Sequence, residues 1–129
     1  MAHHHSFEDL EVYKKATLFC DHIWDIISNT PLNKDYKLRE QINGSSGSIM
    51  DNIAEGFGRG GNKEFIMFLG FSRGSACESK SQLLRCFKRK YINGETFKKL
   101  NTEADELINQ LSKFINYLKY SNRKGSKFD

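Results

Sequence analysis

The chain has 129 residues, a formal net charge of +4 and 38% hydrophobic residues. This length is enough for one domain and too short for two domains with separate hydrophobic cores. No apolar run reaches the roughly 18 residues that a membrane-spanning helix needs, so we expect no membrane contact and a cytoplasmic location. Three cysteines without a CxxC pair argue against a zinc site or a disulfide framework, and we expect reduced thiols.

A single proline and a single valine favour helices over strands, and we predict an all-α domain of four helices over residues 7–120. Residues 1–6, "MAHHHS", resemble part of an affinity tag, which leaves His22 as the one histidine available for chemistry. Residues 121–129 are expected to form a flexible basic tail.

The first helix, predicted over about 7–28, carries apolar residues in two stripes, so it must bury more than one side. Pro31 ends it. One stripe consists of Leu10, Tyr13, Thr17, Cys20, Trp24 and Ile27, and the other of Val12, Ala16, Phe19, Ile23 and Ile26. We assign Val12, Phe19 and Ile23 to a contact with a second copy of the chain.

The second helix is predicted over about 35–55 and the third over about 63–90. The middle of the second, "NGSSGSIMDN", is weak in helix propensity, since glycine costs roughly 1 kcal/mol relative to alanine. Its small residues Gly44, Gly47 and Ser48 lie at helical spacing, and the middle of the third helix is also small. We therefore predict that these two helices approach each other closely.

The third helix opens with "FIMFLGF" (65–71), in which six of seven residues are apolar. A single bundle would leave part of this surface exposed, and contiguous apolar patches usually mark an interface. We therefore expect a homo-oligomer, with Ile66, Met67 and Phe71 among the contact residues. The alternative is a monomer with an unusually large core.

The fourth helix is predicted over about 94–120, with apolar residues in steps of three and four from Phe97 to Leu118. Positive charge concentrates just before it and in its first turns, a pattern that suits a phosphate backbone. The alternative is a solvated lysine-rich face. The candidate contacts with nucleic acid are Arg85, Lys88, Arg89, Lys90, Lys98 and Lys99.

The segment "NIAEGFGRGGNKEF" (52–65) fits the G-x-G-x-x-G spacing of dinucleotide-binding loops. That motif requires a strand before it, and the preceding residues have a helical pattern instead. We interpret the segment as a turn between helices. In this interpretation Gly56 ends the second helix, and Asn62 caps the third, with Glu64 in its first turn.

No residue pattern indicates catalysis, a metal or a cofactor. His22 has no nucleophile motif near it, and the Glu-x-x-His pairs of di-iron bundles are missing from the sequence. Glu55, Glu64 and Glu78 are the one alternative, as a general acid and base. Ion pairs with Arg59 or Arg73 are the commoner role for such carboxylates.

Several segments, taken in order, resemble a known family. They are "FEDLEVYKKA" (7–16), "NIAEGFGR" (52–59), Phe68-Leu69 and "RGSACE" (73–78). The chain resembles the four-helix-bundle proteins encoded by intervening sequences of bacterial 23S ribosomal RNA genes. The polar and glycine residues that carry the resemblance are Asn52, Glu55, Gly56, Arg59, Glu64, Arg73, Ser75 and Glu78.

The resemblance implies an up-down-up-down bundle that assembles as a ring, commonly a pentamer, and no established enzymatic activity. A similar bundle is the accessory protein of diversity-generating retroelements, which works with a reverse transcriptase and nucleic acid. The family often has an arginine pair, alanines and a proline in the second helix. This chain has Asn43-Gly44, serines and Met50 there, so another surface would have to supply the positive charge.

We therefore expect a non-enzymatic homo-oligomer that binds RNA, DNA or a nucleic-acid-processing partner through its basic cluster. The alternative is a structural or protein-interaction module whose charge only keeps it in solution.

Overall fold

The computed structural model describes residues 6–121, and no strand occurs within that range. The α-helices are α1 (Glu11–Asn29), α2 (Tyr36–Arg59), α3 (Asn62–Lys88) and α4 (Gly94–Lys119). Single 3₁₀ turns, Phe7–Asp9 and Pro31–Lys34, precede α1 and α2. Successive helices run antiparallel, and α1 also packs on α4, which places α1 and α3 on a diagonal. The predicted all-α four-helix bundle is confirmed.

The observed helix boundaries differ from the predicted ones at the amino end. Ser6 caps the first 3₁₀ turn by accepting a hydrogen bond from the Glu8 amide at 3.1 Å. Leu10 is then extended, so α1 begins four residues later than predicted. The tag residues 1–5 and tail residues 122–129 lie outside the described part of the chain.

The turn between α2 and α3 lies within the segment predicted for it but is shorter than predicted, and its cap residues are different. Helix α2 continues to Arg59, and Gly60 ends it with a left-handed φ of 90°. Gly61 takes the N-cap position of α3, and Asn62 is the first residue of that helix and buried. The glycine that was expected to end α2, Gly56, is buried inside it.

Gly56 is required by packing. A Cβ atom at this position would lie 2.7 Å from the Cβ of Phe68 and 2.9 Å from Cδ1 of Phe65. Both rings belong to α3, so the bare backbone at Gly56 lets the start of α3 cross the end of α2 at close range. The glycine is explained by this contact rather than by a turn.

The core residues of α1 come mainly from the stripe that begins at Val12, and Ile27 of the other stripe is buried as well. Val12, Phe19 and Ile23 are buried among the residues of the chain itself. Their assignment to an oligomer contact is therefore wrong, because a second copy could reach them only if the bundle opened. Trp24, from the other stripe, is 56% exposed.

Helices α2 and α3 pack closely, as predicted, but through Gly56 and several serines rather than through Gly44 and Gly47. The Ser45 and Ser79 hydroxyls lie 2.8 Å apart, and the Ser72 hydroxyl donates to the Ile49 carbonyl oxygen at 2.7 Å. A Cβ at Gly44 or at Gly47 would meet no atom within 4 Å. These two glycines are therefore not needed for the contact.

Gly56→Ala is expected to destabilise the chain by about 1–3 kcal/mol, because the added methyl group overpacks the contact with Phe65 and Phe68. Gly44→Ala is the matched control. It faces open space and should stabilise α2 by about 0.5–1 kcal/mol through helix propensity. Urea unfolding followed by circular dichroism measures both. Equal effects of the two substitutions would contradict this role for Gly56.

Candidate nucleic-acid interface

The six predicted phosphate contacts lie at one end of the bundle. Arg85, Lys88 and Arg89 belong to the last turns of α3, Lys90 to the α3–α4 connection, and Lys98 and Lys99 to the start of α4. We call these six residues the basic end. Since successive helices are antiparallel, the connection between α1 and α2 lies at the same end.

The two arginines of the basic end are bound by residues of α2 and its N-cap. The Arg89 Nη1 donates to Asp35 Oδ2 at 2.6 Å, and the Arg85 Nη2 donates to Gln41 Oε1 at 2.6 Å. The Tyr91 hydroxyl also donates to Asp35 Oδ2, at 2.8 Å. These hydrogen bonds link the α1–α2 connection and the start of α2 to the end of α3 and the α3–α4 connection. They also occupy arginine N–H groups that would otherwise be free to bind a phosphate.

Asp35 is the centre of this cluster. Its other carboxylate oxygen accepts from the Leu38 amide at 3.4 Å and so caps α2. The hydrogen bond from Tyr91, assisted by Arg89, lowers the pKa of Asp35 below its ordinary value of 3.8. The same hydrogen bond raises the pKa of Tyr91, because the hydroxyl proton is held by the carboxylate.

The four lysines of the basic end carry its uncompensated charge. Lys88, Lys90, Lys98 and Lys99 are exposed, and none forms an ion pair with a carboxylate among residues 6–121. Glu95 is the one acidic residue of the α3–α4 connection and the first turns of α4, residues 89–99. A strongly positive surface therefore results.

Lys90 has an unusual backbone conformation. Its φ is 63°, in the left-handed region, where lysine costs roughly 1–2 kcal/mol. The Lys90 amide donates to the Phe87 carbonyl at 2.9 Å and the Tyr91 amide to the Cys86 carbonyl at 2.9 Å. This is the Schellman arrangement that ends many helices, and its left-handed position is usually glycine. Glycine would therefore fit this backbone conformation better than lysine does.

An aromatic surface adjoins these lysines. The Phe87 ring is 38% exposed and stacks on Phe97, with 4.8 Å between centroids and 17° between planes. An open groove of about 560 Å³ lies beside it. The groove is lined by Phe87, Lys88, Lys90, Tyr91, Ile92 and Asn93.

The residues of the family motif lie mainly along the junction of α2 and α3, away from the basic end. Asn52 donates to the Ser48 carbonyl at 2.8 Å, and Glu55 pairs with Arg59 at 3.0 Å. The Arg59 guanidinium lies 5.0 Å from the centre of the Phe68 ring on α3. The first two contacts lie within α2, and the contact of Arg59 with Phe68 joins α2 to α3.

The remaining motif residues are spread over other parts of α3. Arg73 points to α4 and donates to the Ser112 hydroxyl at 3.1 Å. Glu64 is exposed in the first turn of α3, and Ser75 and Glu78 follow further along that helix. The motif therefore does not form a single site.

The three carboxylates weighed for acid–base catalysis do not share one groove. An open polar groove of about 580 Å³ between α2 and α3 is lined by Glu78, and its lining includes neither Glu55 nor Glu64. His22 pairs with Glu103 on α4, with 2.8 Å between Nδ1 and Oε1. Within residues 6–121, no group of three or more His, Cys, Asp or Glu side chains is placed to hold a metal ion.

The three cysteines are free thiols. Burial raises the pKa of Cys86 to about 11 and also raises the pKa of Cys20, so neither favours the reactive thiolate form. Among the described residues, no helix is both long and apolar enough to cross a membrane.

Sequence reasoning missed three residues of this end. Asp35, Tyr91 and Phe87 organise the arginines and the aromatic surface, yet none was among the candidates. Asp35 had a usable signal, since an aspartate just before a helix is a common N-cap. Phe87 had another, because it is an aromatic residue directly followed by three basic ones. The partner of Asp35 across the bundle could not be inferred from spacing.

These features define a small all-α bundle protein with one strongly basic end. The family model described as 23S rRNA-intervening sequence protein matches residues 8–113, and the chain belongs to that family. The resemblance found in the motifs is thus confirmed.

A solved structure shows the same fold. It is a protein of unknown function from the S23 ribosomal protein family of Bacteroides thetaiotaomicron VPI-5482, with a TM-score of 0.73 and 24% sequence identity. The alignment covers 81% of this chain and 97% of that one. Comparison with the curated proteins gives no significant match.

Asp35→Asn is expected to destabilise the bundle at neutral pH, because the carboxylate that binds Arg89 and Tyr91 is lost. The folded state lowers the pKa of Asp35, so its stabilisation is fully present above 3.8 and disappears as the pH falls through the lowered value. Wild type and variant should therefore converge in acid. Urea unfolding across this pH range tests the expectation.

Glu40→Gln is the control for this experiment, since Glu40 is an exposed carboxylate of α2 that pairs with its sequence neighbour Arg39. It should change stability little at any pH. A difference between wild type and Asp35→Asn that persists unchanged below the folded-state pKa would contradict the assignment.

Proposed function

We propose that this protein is a non-enzymatic, homo-oligomeric bundle that binds RNA or DNA through its basic end. The observation that carries the proposal is the convergence of Lys88, Lys90, Lys98 and Lys99 at one end without acidic partners among residues 6–121. Such lysines bind phosphates by releasing the counterions condensed on the nucleic acid. The strained backbone of Lys90 supports a use for its charge, since glycine would suit that position better.

A non-enzymatic role is supported by the separation of the candidate carboxylates. Glu55 is paired with Arg59, and Glu64 and Glu78 lie on different parts of α3. An acid–base pair would need two carboxylates facing one substrate site.

Self-association is supported by the outer side of α3. Met67, Phe71 and Leu84 are 48%, 51% and 42% exposed. Gly70 and Gly74 lie between them, and a Cβ at either would meet no atom within 4 Å. The bundle thus presents apolar side chains around a stretch of bare helix backbone, which a helix of another copy could approach closely. Of the predicted contacts, Met67 and Phe71 stay available, and Ile66 is partly buried.

A cyclic assembly would strengthen nucleic-acid binding. The copies of a ring are equivalent, so every basic end would lie at the same level around the axis. A pentamer, the number that the family resemblance suggests, would present five basic ends to one strand. Binding at one end would then raise the effective concentration of the strand at the next.

Reversing the charge of Lys88, Lys90, Lys98 and Lys99 to glutamate should weaken binding to RNA and DNA by at least about tenfold at low salt. The slope of log affinity against log salt should become shallower by about 3, since each lost phosphate contact contributes roughly 0.7–0.9. Fluorescence anisotropy over a salt series measures both quantities.

The matched control reverses Lys14, Lys63, Lys113 and Lys119, which are exposed near the opposite end of the bundle. It changes the net charge equally and should retain the steep salt dependence. Equal losses in both variants, or no binding by wild type at low salt, would overturn the proposal. An RNase-resistant and salt-resistant protein partner would then favour the alternative, a protein-interaction module.

Met67→Glu combined with Phe71→Glu should lower the molar mass of the protein in solution, because two charges would be buried without partners at the proposed contact. Size-exclusion chromatography with light scattering measures the mass. Tyr120→Glu is the control, since Tyr120 is 86% exposed at the end of α4 and should leave the mass unchanged. A monomeric wild type would contradict self-association.

A further inference from the structure

We infer that the basic end binds single-stranded nucleic acid, with one base stacked on the exposed ring of Phe87 and the adjacent phosphates on Lys88 and Lys90. The inference rests on the proposed function and adds to it the form of nucleic acid that is bound. It is carried by the geometry of the aromatic surface, which charge alone does not explain.

The Phe87 ring is held in place from one side. Phe97 stacks against it at 4.8 Å and 17°, so that face of the ring is covered. Gly94 lies next to its edge, since a Cβ there would come within 3.9 Å of Phe87 Cε1. Phe87 as a residue is still 38% exposed, so part of its surface remains accessible to a ligand. A flat ligand could continue the stack that Phe87 and Phe97 begin.

The groove beside the ring matches a nucleotide in chemistry. Phe87 and the buried Ile92 provide apolar surface, and Lys88 and Lys90, which lie between these two residues in the chain, also line the groove. The Asn93 side-chain oxygen is already used, since it accepts from the Thr96 amide at 2.8 Å and caps α4. The site thus offers a surface for stacking and positive charge for phosphate, with little means of reading base identity.

The hydrogen bonds of the two arginines support the assignment of the phosphate contacts to lysines. Arg85 and Arg89 are held by Gln41 and Asp35, so the mobile charges next to the ring are lysines. Lysine binds phosphate as a point charge and tolerates many backbone positions. An exposed aromatic ring with surrounding lysines is the arrangement that single-strand binders use without strong sequence preference.

Duplex nucleic acid could use only part of this surface. Its bases are stacked on each other and cannot reach the Phe87 ring, although its phosphates could still contact the lysines. A free mononucleotide could stack, but it would bring one phosphate group to a site with several lysines. We therefore expect affinity to decrease from single strand to duplex and to mononucleotide.

The experiment compares four ligands: a short oligouridylate, an oligothymidylate, a duplex of mixed sequence and the same length, and uridine monophosphate. Their affinities are measured by fluorescence anisotropy or by competition. Phe87→Ala should lower single-strand affinity by about tenfold, as expected for loss of one stacked base. Duplex affinity and the salt slope should stay unchanged. Phe87→Tyr keeps an aromatic ring and should retain binding.

Phe87→Leu is the control for a loss of binding that is caused by unfolding. It preserves apolar contact with Phe97 and should remain folded by circular dichroism, yet it lacks the ring and should bind single strands as weakly as Phe87→Ala. Lys90→Gly should reduce the single-strand salt slope by about 0.7, the share of one phosphate contact. Its thermal midpoint should not fall, because glycine suits the left-handed backbone.

The outcomes separate this inference from the proposed function. If the Phe87 variants bind single strands as well as wild type, or lose single-strand and duplex affinity equally, the stacking site is wrong. The proposed function would still stand as long as reversal of the four lysines weakens binding by at least about tenfold at low salt. If that reversal has no effect, both proposals fail.

Discussion

The close contact between α2 and α3 is the constraint on which the rest of the bundle depends. At Gly56 the backbone of α2 lies against Phe65 and Phe68, and further along the pair Ser45 and Ser79 share a hydrogen bond. Hydroxyls that bond to each other allow buried polar atoms at a short interhelical distance. This contact fixes the direction of α3, and the direction of α3 places its basic last turns beside the start of α2.

Charged residues of the basic end also stabilise the fold. Asp35 lies among several cations and forms an ion pair with Arg89. This pair reduces the electrostatic repulsion between the basic side chains, while the net charge of the basic end stays positive. The arginines act within the fold, and the lysines face solvent. The basic residues of one short segment thus have two roles, stabilising the fold and providing exposed positive charge. A count of basic residues does not distinguish these roles.

Local charge and helical periodicity were enough to predict the basic cluster and the fold class, because both depend on residues near one another in sequence. Periodicity could not decide which apolar side chains of α1 are buried by the chain itself, as Val12, Phe19 and Ile23 are, and which stay exposed, as Trp24 does. That choice depends on where α2 and α4 lie. Gly56 shows the same limit: glycine is typical both of helix ends and of close packing, and only the Phe68 contact identifies which applies.

The left-handed backbone at Lys90 has a consequence for how such a chain changes over generations. Replacement by glycine needs no compensating change elsewhere and relieves strain, so a selection for thermal stability alone would favour it. On the proposal that the basic end binds phosphate, a lysine at this position exchanges thermal stability for charge. Among chains with this bundle, the residue at this one position would indicate which of the two demands has prevailed.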